Sequence, residues 1–185
     1  MSTSEGGDER VRINWHEDFI LFLTSIVRPK VYVELGLYQC ALFNRVIPFA
    51  ETLIGVDMNG EAGQHMQMTP KTRFFHGTTQ AFAQELAAQP MQIDMLFIDA
   101  DHSREAVLQD FYDFFPYVSP HGLILLHDSH PGSAEMMDPT LCGTAYQAID
   151  ELSRRTDAYE MVTLPISPGL TICRKRRQQL SWQEI

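Results

Sequence analysis

The sequence is poor in cysteine and has no long hydrophobic run. Its three cysteines, Cys40, Cys142 and Cys173, lie far apart in 185 residues, which excludes a disulfide framework and a CxxC zinc pair. We therefore expect reduced thiols. The apolar runs fall well short of the ~20 residues that span a bilayer. The N-terminal residues MSTSEGGDER also lack the apolar segment of a secretory signal. These absences predict a cytoplasmic protein with no membrane partner.

Basic residues are scarce as well. Lys and Arg number 14 against 24 Asp and Glu, which gives a formal net charge of −10. A surface of this charge repels phosphate backbones, so nucleic acid is not expected as a partner. The one basic run, residues 174–177, is predicted to be a solvated tail after the last strand.

Short apolar runs alternate along the chain with segments of helical periodicity. We predict a disordered tail over 1–12, one domain over 13–177 and a second tail over 178–185. Asn14 and Ser103 are of the type that caps helices, and 58–71 is predicted to be a loop or a broken helix. Strands are predicted at 31–35, 52–56, 72–76, 94–98 and 122–126, and helices at about 15–27, 39–50, 80–88, 103–115 and 143–155.

The last two predicted strands, 159–164 and 170–174, are joined by the residues PISPG. This link is too short for a helical crossover, so the two strands must be antiparallel. Strands that alternate with helices form a parallel sheet with helices on both faces. The predicted fold class is therefore α/β, with a single Rossmann-like, doubly wound and mostly parallel seven-stranded sheet that ends in a C-terminal antiparallel hairpin.

Polar residues follow each predicted strand at the point where it ends. Glu34 and Gly36 close the first strand, and Asp57 lies about 20 residues later, the spacing at which such units offer a carboxylate to ribose hydroxyls. Asp99 ends the fourth strand, and His127 and Asp128 end the fifth. Because the carboxyl ends of parallel strands meet at one edge of a sheet, we expect a ligand site there.

Several phrases resemble those of class I S-adenosylmethionine-dependent methyltransferases, and in particular the small O-methyltransferase-like group that includes cephalosporin-hydroxylase-like proteins. The likeness extends over residues 30–175. It rests on VELGLY (33–38), GVD (55–57), GTTQ (77–80), MLFIDADHSREAVLQDF (95–111), LILLHDSHPG (123–132) and GLTICRK (169–175). One departure is Cys40, which stands where the family usually has a second glycine, and a side chain there is expected to narrow the site.

The resemblance implies S-adenosylmethionine as cofactor. Glu34 and Gly36 would flank its methionine end, with Tyr38 and Asp99 beside them, although a structural turn with a capped acid explains the first pair equally simply. Asp57 would accept from both ribose hydroxyls, with a helix N-cap as the alternative. The adenine would contact four further residues, Met58, Thr78, Thr79 and Gln80, of which the last three are also typical of a turn and a helix cap.

The resemblance also implies a catalytic and a metal role at the fourth and fifth strands. Asp99 and Asp128 match positions at which metal-dependent relatives bind magnesium, and His127 stands where some relatives have an acid. That imidazole favours Mn or Zn over Mg, or no metal at all. His102 matches the base that takes the substrate proton. Alternatively, His102 caps the following helix or binds Asp101, and the strand edge is merely polar.

The predicted function is methylation of a hydroxyl group on a small organic molecule, with His102 and Asp99 as catalytic residues. The acceptor would lie against the N-terminal helix and the methionine-containing loops 58–71 and 129–142. A homodimer that completes the pocket is an open alternative. Two further alternatives are a cofactor-binding pseudo-enzyme or hydroxylase-like member of the same fold, and an NAD-type oxidoreductase, which the missing G-x-G-x-x-G turn disfavours.

Overall fold

The computed structural model describes residues 14–155 and 157–176, so the predicted tails lie outside the described residues. These residues form seven strands: β1 (Val31–Leu35), β2 (Thr52–Asp57), β3 (Thr72–His76), β4 (Ile93–Ile98), β5 (Val118–His127), β6 (Tyr159–Leu164) and β7 (Leu170–Lys175). The helices are α1 (Trp15–Val27), α2 (Ala41–Val46), α3 (Ala62–His65), α4 (Thr79–Ala88), α5 (Arg104–Phe114) and α6 (Ala145–Ser153), with 3-10 turns at Ile47–Phe49, Phe115–Tyr117 and Glu135–Met137.

The strands form one sheet in the order β3-β2-β1-β4-β5-β7-β6. The first five strands pair in parallel, whereas β7 runs antiparallel to both β5 and β6. The chain reverses its winding direction between β3 and β4, so β1 and β4 are neighbours and leave a crevice at their carboxyl ends. The predicted Rossmann-like sheet and its antiparallel hairpin are confirmed.

Helices cover both faces of the sheet because the strand side chains alternate between them. Val33 and Leu35 pack in the core cluster that contains residues of α4, α5 and α6. Tyr32 belongs to the second cluster, with residues of α1, α2 and α3. Glu34 shares the face of Tyr32, whose hydroxyl donates to Glu34 Oε2 at 2.6 Å.

Several predicted boundaries are wrong. The predicted helix over 39–50 begins only at Ala41, because Cys40 has a φ of +55°, and a 3-10 turn with Pro48 replaces its last part. β5 begins at Val118 and passes through an irregularity before it pairs regularly with β4, so Pro120 and His121 lie inside a strand that they were expected to precede. α6 is shorter than predicted at both ends.

Of the two predicted helix caps, only Ser103 makes a capping hydrogen bond with its side chain. The Ser103 hydroxyl accepts from the Ala106 N–H at 3.3 Å and caps α5 as predicted. Asn14 occupies the N-cap position of α1, but its amide donates to Glu17 Oε1 at 3.0 Å. All three cysteines are buried as free thiols. In the part of the chain that the structure describes, no helix combines the length and the apolarity needed to cross a membrane.

Candidate functional site

Two adjoining cavities lie at the carboxyl ends of β1, β2 and β4. The first cavity has a volume of ≈ 720 Å³ and extends past β5 to α1 and the 136–142 segment. The second cavity has a volume of ≈ 290 Å³ and extends towards α4 and α5. Gly36, Asp57 and Ala100 border both of them. Their sizes are close to those of small-molecule sites, so two adjoining spaces lie at the edge where the ligand site is predicted.

The turn after β1 lies between the two cavities, and its residue Gly36 borders both of them. Gly36 has a φ of +84°, and a Cβ there would lie 2.1 Å from the backbone oxygen of Asp99. Tyr38 and Cys40 also have positive φ values, of 48° and 55°. Non-glycine residues adopt this conformation at a cost of about 1–3 kcal/mol each, and such residues concentrate at ligand sites. Only glycine fits at position 36.

Asp57 holds this turn in place. Its Oδ2 accepts from the N–H groups of Leu37 at 2.9 Å and Tyr38 at 3.3 Å, and its Oδ1 accepts from the Asn59 N–H at 2.8 Å. Each carboxylate oxygen has two acceptor sites, so Oδ1 can still accept from one further donor. Asp57 therefore fixes the backbone of the turn and also faces both cavities.

Cys40 does not narrow the site as the sequence suggested. Its thiol is fully buried and donates to the Ala62 backbone oxygen at 3.2 Å. The side chain thus points into the core between α2 and α3. Tyr38, in contrast, is 82% exposed at the rim of the first cavity.

Glu34 lies at the wall of the first cavity and is almost completely buried. Burial raises its pKa to about 8, although the hydrogen bond from Tyr32 works in the opposite direction. Glu34 is consequently mostly protonated near neutral pH. A positively charged ligand group beside it would favour its ionised form.

A cluster of two acids and two histidines forms the deep wall of the first cavity. His127 Nδ1 donates to Asp99 Oδ1 at 2.9 Å and lies 3.3 Å from Asp128 Oδ1. His102 Nε2 lies 3.4 Å from Asp128 Oδ2 and 3.7 Å from Asp99 Oδ1. The structure therefore brings together the strand-end residues Asp99, His127 and Asp128 and the candidate base His102.

The charges in this cluster stabilise one another. Burial disfavours the charged form of His127, but Asp99 and Asp128 outweigh that effect and raise its pKa to about 10. Burial likewise acts to raise the pKa of Asp99, yet the two histidines hold it well below its usual range. The neighbouring carboxylate of Asp99 is the largest cause of the raised pKa of His102. His102 pairs with these acids, whereas Asp101 accepts from the Ser103 N–H at 2.7 Å.

The same cluster contains the predicted metal ligands Asp99, His127 and Asp128. Asp99, His102 and Asp128 offer ligand atoms that all lie within 4.8 Å of one another. His127 was predicted as the third ligand, but its Nδ1 is hydrogen-bonded to Asp99. Two carboxylates and one imidazole suit a divalent cation of intermediate softness such as Mn or Zn, and His102 is the better placed imidazole.

His16 of α1 also belongs to this wall. Its ring packs against that of His127 in a tilted arrangement, with 4.2 Å between the centroids and 48° between the ring planes. Burial, together with the positive charge of His127, lowers the pKa of His16 to about 4. Among the described residues, neither His16 Nδ1 nor His127 Nε2 has a hydrogen-bond partner. No local sequence signal distinguishes His16, because its position depends on how α1 packs across the sheet.

The second cavity contains the residues predicted to contact adenine. Met58, Thr78, Thr79 and Gln80 all line it. Thr78 also caps α4, since its hydroxyl accepts from the Ala81 N–H at 3.1 Å, so the alternative interpretation of this residue as a helix cap is confirmed. Asp110 of α5 lines the same cavity and was missed. A signal existed, because an acid stands in a helical stripe otherwise formed by Val107, Phe111 and Phe114.

Comparisons with known proteins agree with this architecture. A family model described as a methyltransferase domain matches residues 33–129, just over half of the chain. An uncharacterized protein of Acanthamoeba polyphaga mimivirus is 31% identical, and the match covers 52% of this chain and 50% of that protein. The chain therefore spans about half the length of this curated relative.

Solved structures share the fold at low sequence identity. An O-methyltransferase from Bacillus cereus, in complex with SAH, matches with a TM-score of 0.73 and 14% identity over 88% of this chain and 81% of that one. The O-methyltransferase TomG from Streptomyces achromogenes, in complex with SAM, matches with a TM-score of 0.68 and 12% identity over 88% and 80% of the two chains. With a family model that covers more than half of its residues, the chain belongs to the methyltransferase-domain family.

Proposed function

We propose that this protein is an S-adenosylmethionine-dependent methyltransferase that acts on a hydroxyl group of a small molecule. The observation that carries the proposal is the pair of cavities joined at Gly36 and Asp57, with an acid–histidine cluster at the end of the larger one. The space is elongated, as an adenosyl amino acid is, and family membership and the SAH- and SAM-bound neighbours support the choice of cofactor.

The residues present fit the proposed cofactor. Asp57 offers a free acceptor site on Oδ1 at the junction of the cavities, where the ribose would lie. Glu34 is positioned to accept from the ammonium group in the first cavity. The base would occupy the second cavity, between the Met58 side and the Thr78–Gln80 turn. S-adenosylmethionine, when bound, supplies a methyl group on a sulfonium, which is a good leaving group.

The protein must then orient the acceptor and remove its proton. His102 is the candidate base, because its Nε2 faces the first cavity beside Asp99 and Asp128. These two carboxylates stabilise the imidazolium that forms when His102 accepts the hydroxyl proton. Fixing the acceptor oxygen in line with the methyl group is the second contribution, and the partly buried ion pairs of the cluster hold the side chains of this wall in place.

The walls of the first cavity suggest what kind of acceptor fits. Met136, Leu141 and Pro168 contribute apolar surface, and His16 contributes an aromatic ring. Among the described residues that line this cavity, none is Lys or Arg. We therefore expect a small, neutral or cationic hydroxylated molecule with an aromatic or aliphatic body, and neither nucleic acid nor a multiply phosphorylated compound.

The test is a methyl-transfer assay with labelled S-adenosylmethionine and a panel of small phenols, catechols and aliphatic alcohols. We expect turnover of at least one class, and His102→Ala should lower the rate ~10²- to 10⁴-fold while changing the affinity for S-adenosylhomocysteine less than about threefold. His121→Ala is the matched control, because His121 is exposed on β5 far from its carboxyl end. Full activity of His102→Ala on an accepted substrate would refute the role of His102 as the base.

A divalent cation at Asp99, His102 and Asp128 is a second candidate for activating the hydroxyl, and the 4.8 Å grouping of their ligand atoms favours it. A bound cation would lower the pKa of the acceptor hydroxyl and orient it. Treatment with EDTA separates the two candidates. Loss of transfer that Mg, Mn or Zn restores would support the cation, whereas an unchanged rate would leave His102 as the base.

A further inference from the structure

Asp110 is a buried acid that the proposed methyl-transfer chemistry does not use. It is 2% exposed, and with Ala106, one helical turn before it, it forms the α5 wall of the second cavity. Val107 and Phe111, its neighbours on α5, pack in the hydrophobic core. The acid is mid-helix, so it cannot serve as an N-cap. A carboxylate in this place costs stability unless a donor meets it.

The protein supplies little to satisfy this carboxylate. Within the described ranges, Asp110 Oδ1 is buried without a hydrogen-bond partner. Burial is the main reason that its pKa rises to about 6; the Thr79 side chain opposes the rise, and two further acids, Asp113 and Asp101, reinforce it. The group is therefore mostly charged at neutral pH, and a donor on a ligand in the second cavity, which Asp110 lines, would stabilise it.

We propose that Asp110 accepts a hydrogen bond from the C6 amino group of the cofactor's adenine and thereby selects adenine over hypoxanthine. The inference rests on the proposed function, since it needs an adenosyl ligand in the second cavity. If such a ligand binds with its ribose near Asp57 and its ammonium group near Glu34, the adenine amino group is the donor that reaches the α5 side of the second cavity. Hypoxanthine has a carbonyl oxygen at that position, and a carboxylate would repel it.

A purely structural role makes a different prediction. If Asp110 only links α5 to α4 through Thr79, replacing it changes stability without changing which base is bound. Base selectivity is therefore the readout that separates the two roles. S-inosyl-L-homocysteine is a suitable probe, because it differs from S-adenosyl-L-homocysteine only in having a carbonyl in place of the amino group.

The experiment is calorimetric titration of the full chain with both compounds. Wild type should bind the adenosyl compound at least ~10-fold more tightly, as expected for a hydrogen bond to a charged group. In Asp110→Asn, whose amide can both donate and accept, the two affinities should lie within about threefold of each other. Asp113→Asn is the matched control: this acid is one turn further along α5, where it accepts from Gln109 at 2.7 Å, and its variant should keep the wild-type ratio.

The outcomes distinguish this inference from the function on which it rests. If wild type binds neither compound, the proposed cofactor is wrong and the inference is overturned with it. If wild type binds both equally, or if Asp110→Asn keeps the wild-type ratio, the cofactor stands and the role of Asp110 is refuted. The wild-type comparison needs no variant, so poor folding of Asp110→Asn would not remove the test.

Discussion

Asp99 and Asp110 both border the cavities at the carboxyl edge of the sheet, and their pKa values are shifted in opposite directions. Asp99 lies between His102 and His127, which hold its pKa well below the usual range. Asp110 has no cation among its described neighbours that shift its pKa, and burial raises that pKa to about 6. The carboxylates of the acid–histidine cluster in the first cavity are thus paired with imidazoles before any ligand binds, whereas Asp110 Oδ1 at the second cavity has no hydrogen-bond partner among the described residues. We infer that the first is organised for chemistry and the second for recognition.

The largest expected effect comes from Gly36→Ala, which disrupts both cavities at once. The added Cβ would meet the Asp99 backbone oxygen at 2.1 Å at a φ of +84°. The turn or the end of β4 must move, so we expect the affinity for S-adenosylhomocysteine to fall at least ~100-fold and the free energy of unfolding to fall by about 2–4 kcal/mol. Calorimetry and denaturant titration measure the two quantities.

Gly60→Ala provides the control for that change. Gly60 is in the loop after β2, where a Cβ would meet only the side chain of His76, at 3.0 Å. This ring can shift, so affinity should change less than about threefold. Equal losses of affinity in both variants would show that the site tolerates no change in its loops. That result would contradict a special role for Gly36.

A smaller effect, on stability, is expected for Asp110→Asn without ligand. The pKa of Asp110 is raised on folding, so wild type gains stability as the pH falls through 6 towards 4, where the carboxyl becomes neutral. Above pH ~6.5 the variant should therefore be more stable than wild type, by on the order of 2–3 kcal/mol, and this advantage should vanish near pH ~4. Denaturant titrations across this range test the prediction, and a pH-independent difference would contradict it.

The smallest effect is expected for Cys40→Gly, which restores the residue common in the family. The Cys40 side chain points into the core and donates to the Ala62 carbonyl oxygen, so the affinity for S-adenosylhomocysteine should change less than about threefold. Relief of the positive φ opposes the loss of buried contacts, and the free energy of unfolding should change by less than about 2 kcal/mol. A large gain in affinity would mean that Cys40 does narrow the site.

The sequence predicted the sheet well because its signals are local. Apolar runs of strand length, such as 31–35 and 72–76, ended in turn residues and became strands with the predicted bounds. β5 was predicted to start too late because Pro120 and Gly122 resemble a turn, although the chain there continues as an irregular strand. Its beginning is fixed by pairing with β4, which no local pattern shows.

The site was predicted less completely, since its chemistry depends on contacts between distant segments. The acids at strand ends follow from the rule that parallel strands share a carboxyl edge. The choice of His102 over His127 as the imidazole that groups with Asp99 and Asp128 as a possible metal ligand depends on side-chain directions that spacing does not give. His16 reaches the site only through the packing of α1, whereas Asp110 was detectable as an acid in a buried helical stripe.

A crystal structure of the chain with S-adenosylhomocysteine would show directly how the ligand lies across the two cavities. We expect the adenine in the second cavity, with its amino group about 3 Å from a carboxylate oxygen of Asp110. We also expect the ribose at Asp57 and the sulfur in the first cavity, facing the cluster of Asp99 and His102. A ligand bound in the opposite direction or outside both cavities would contradict the account.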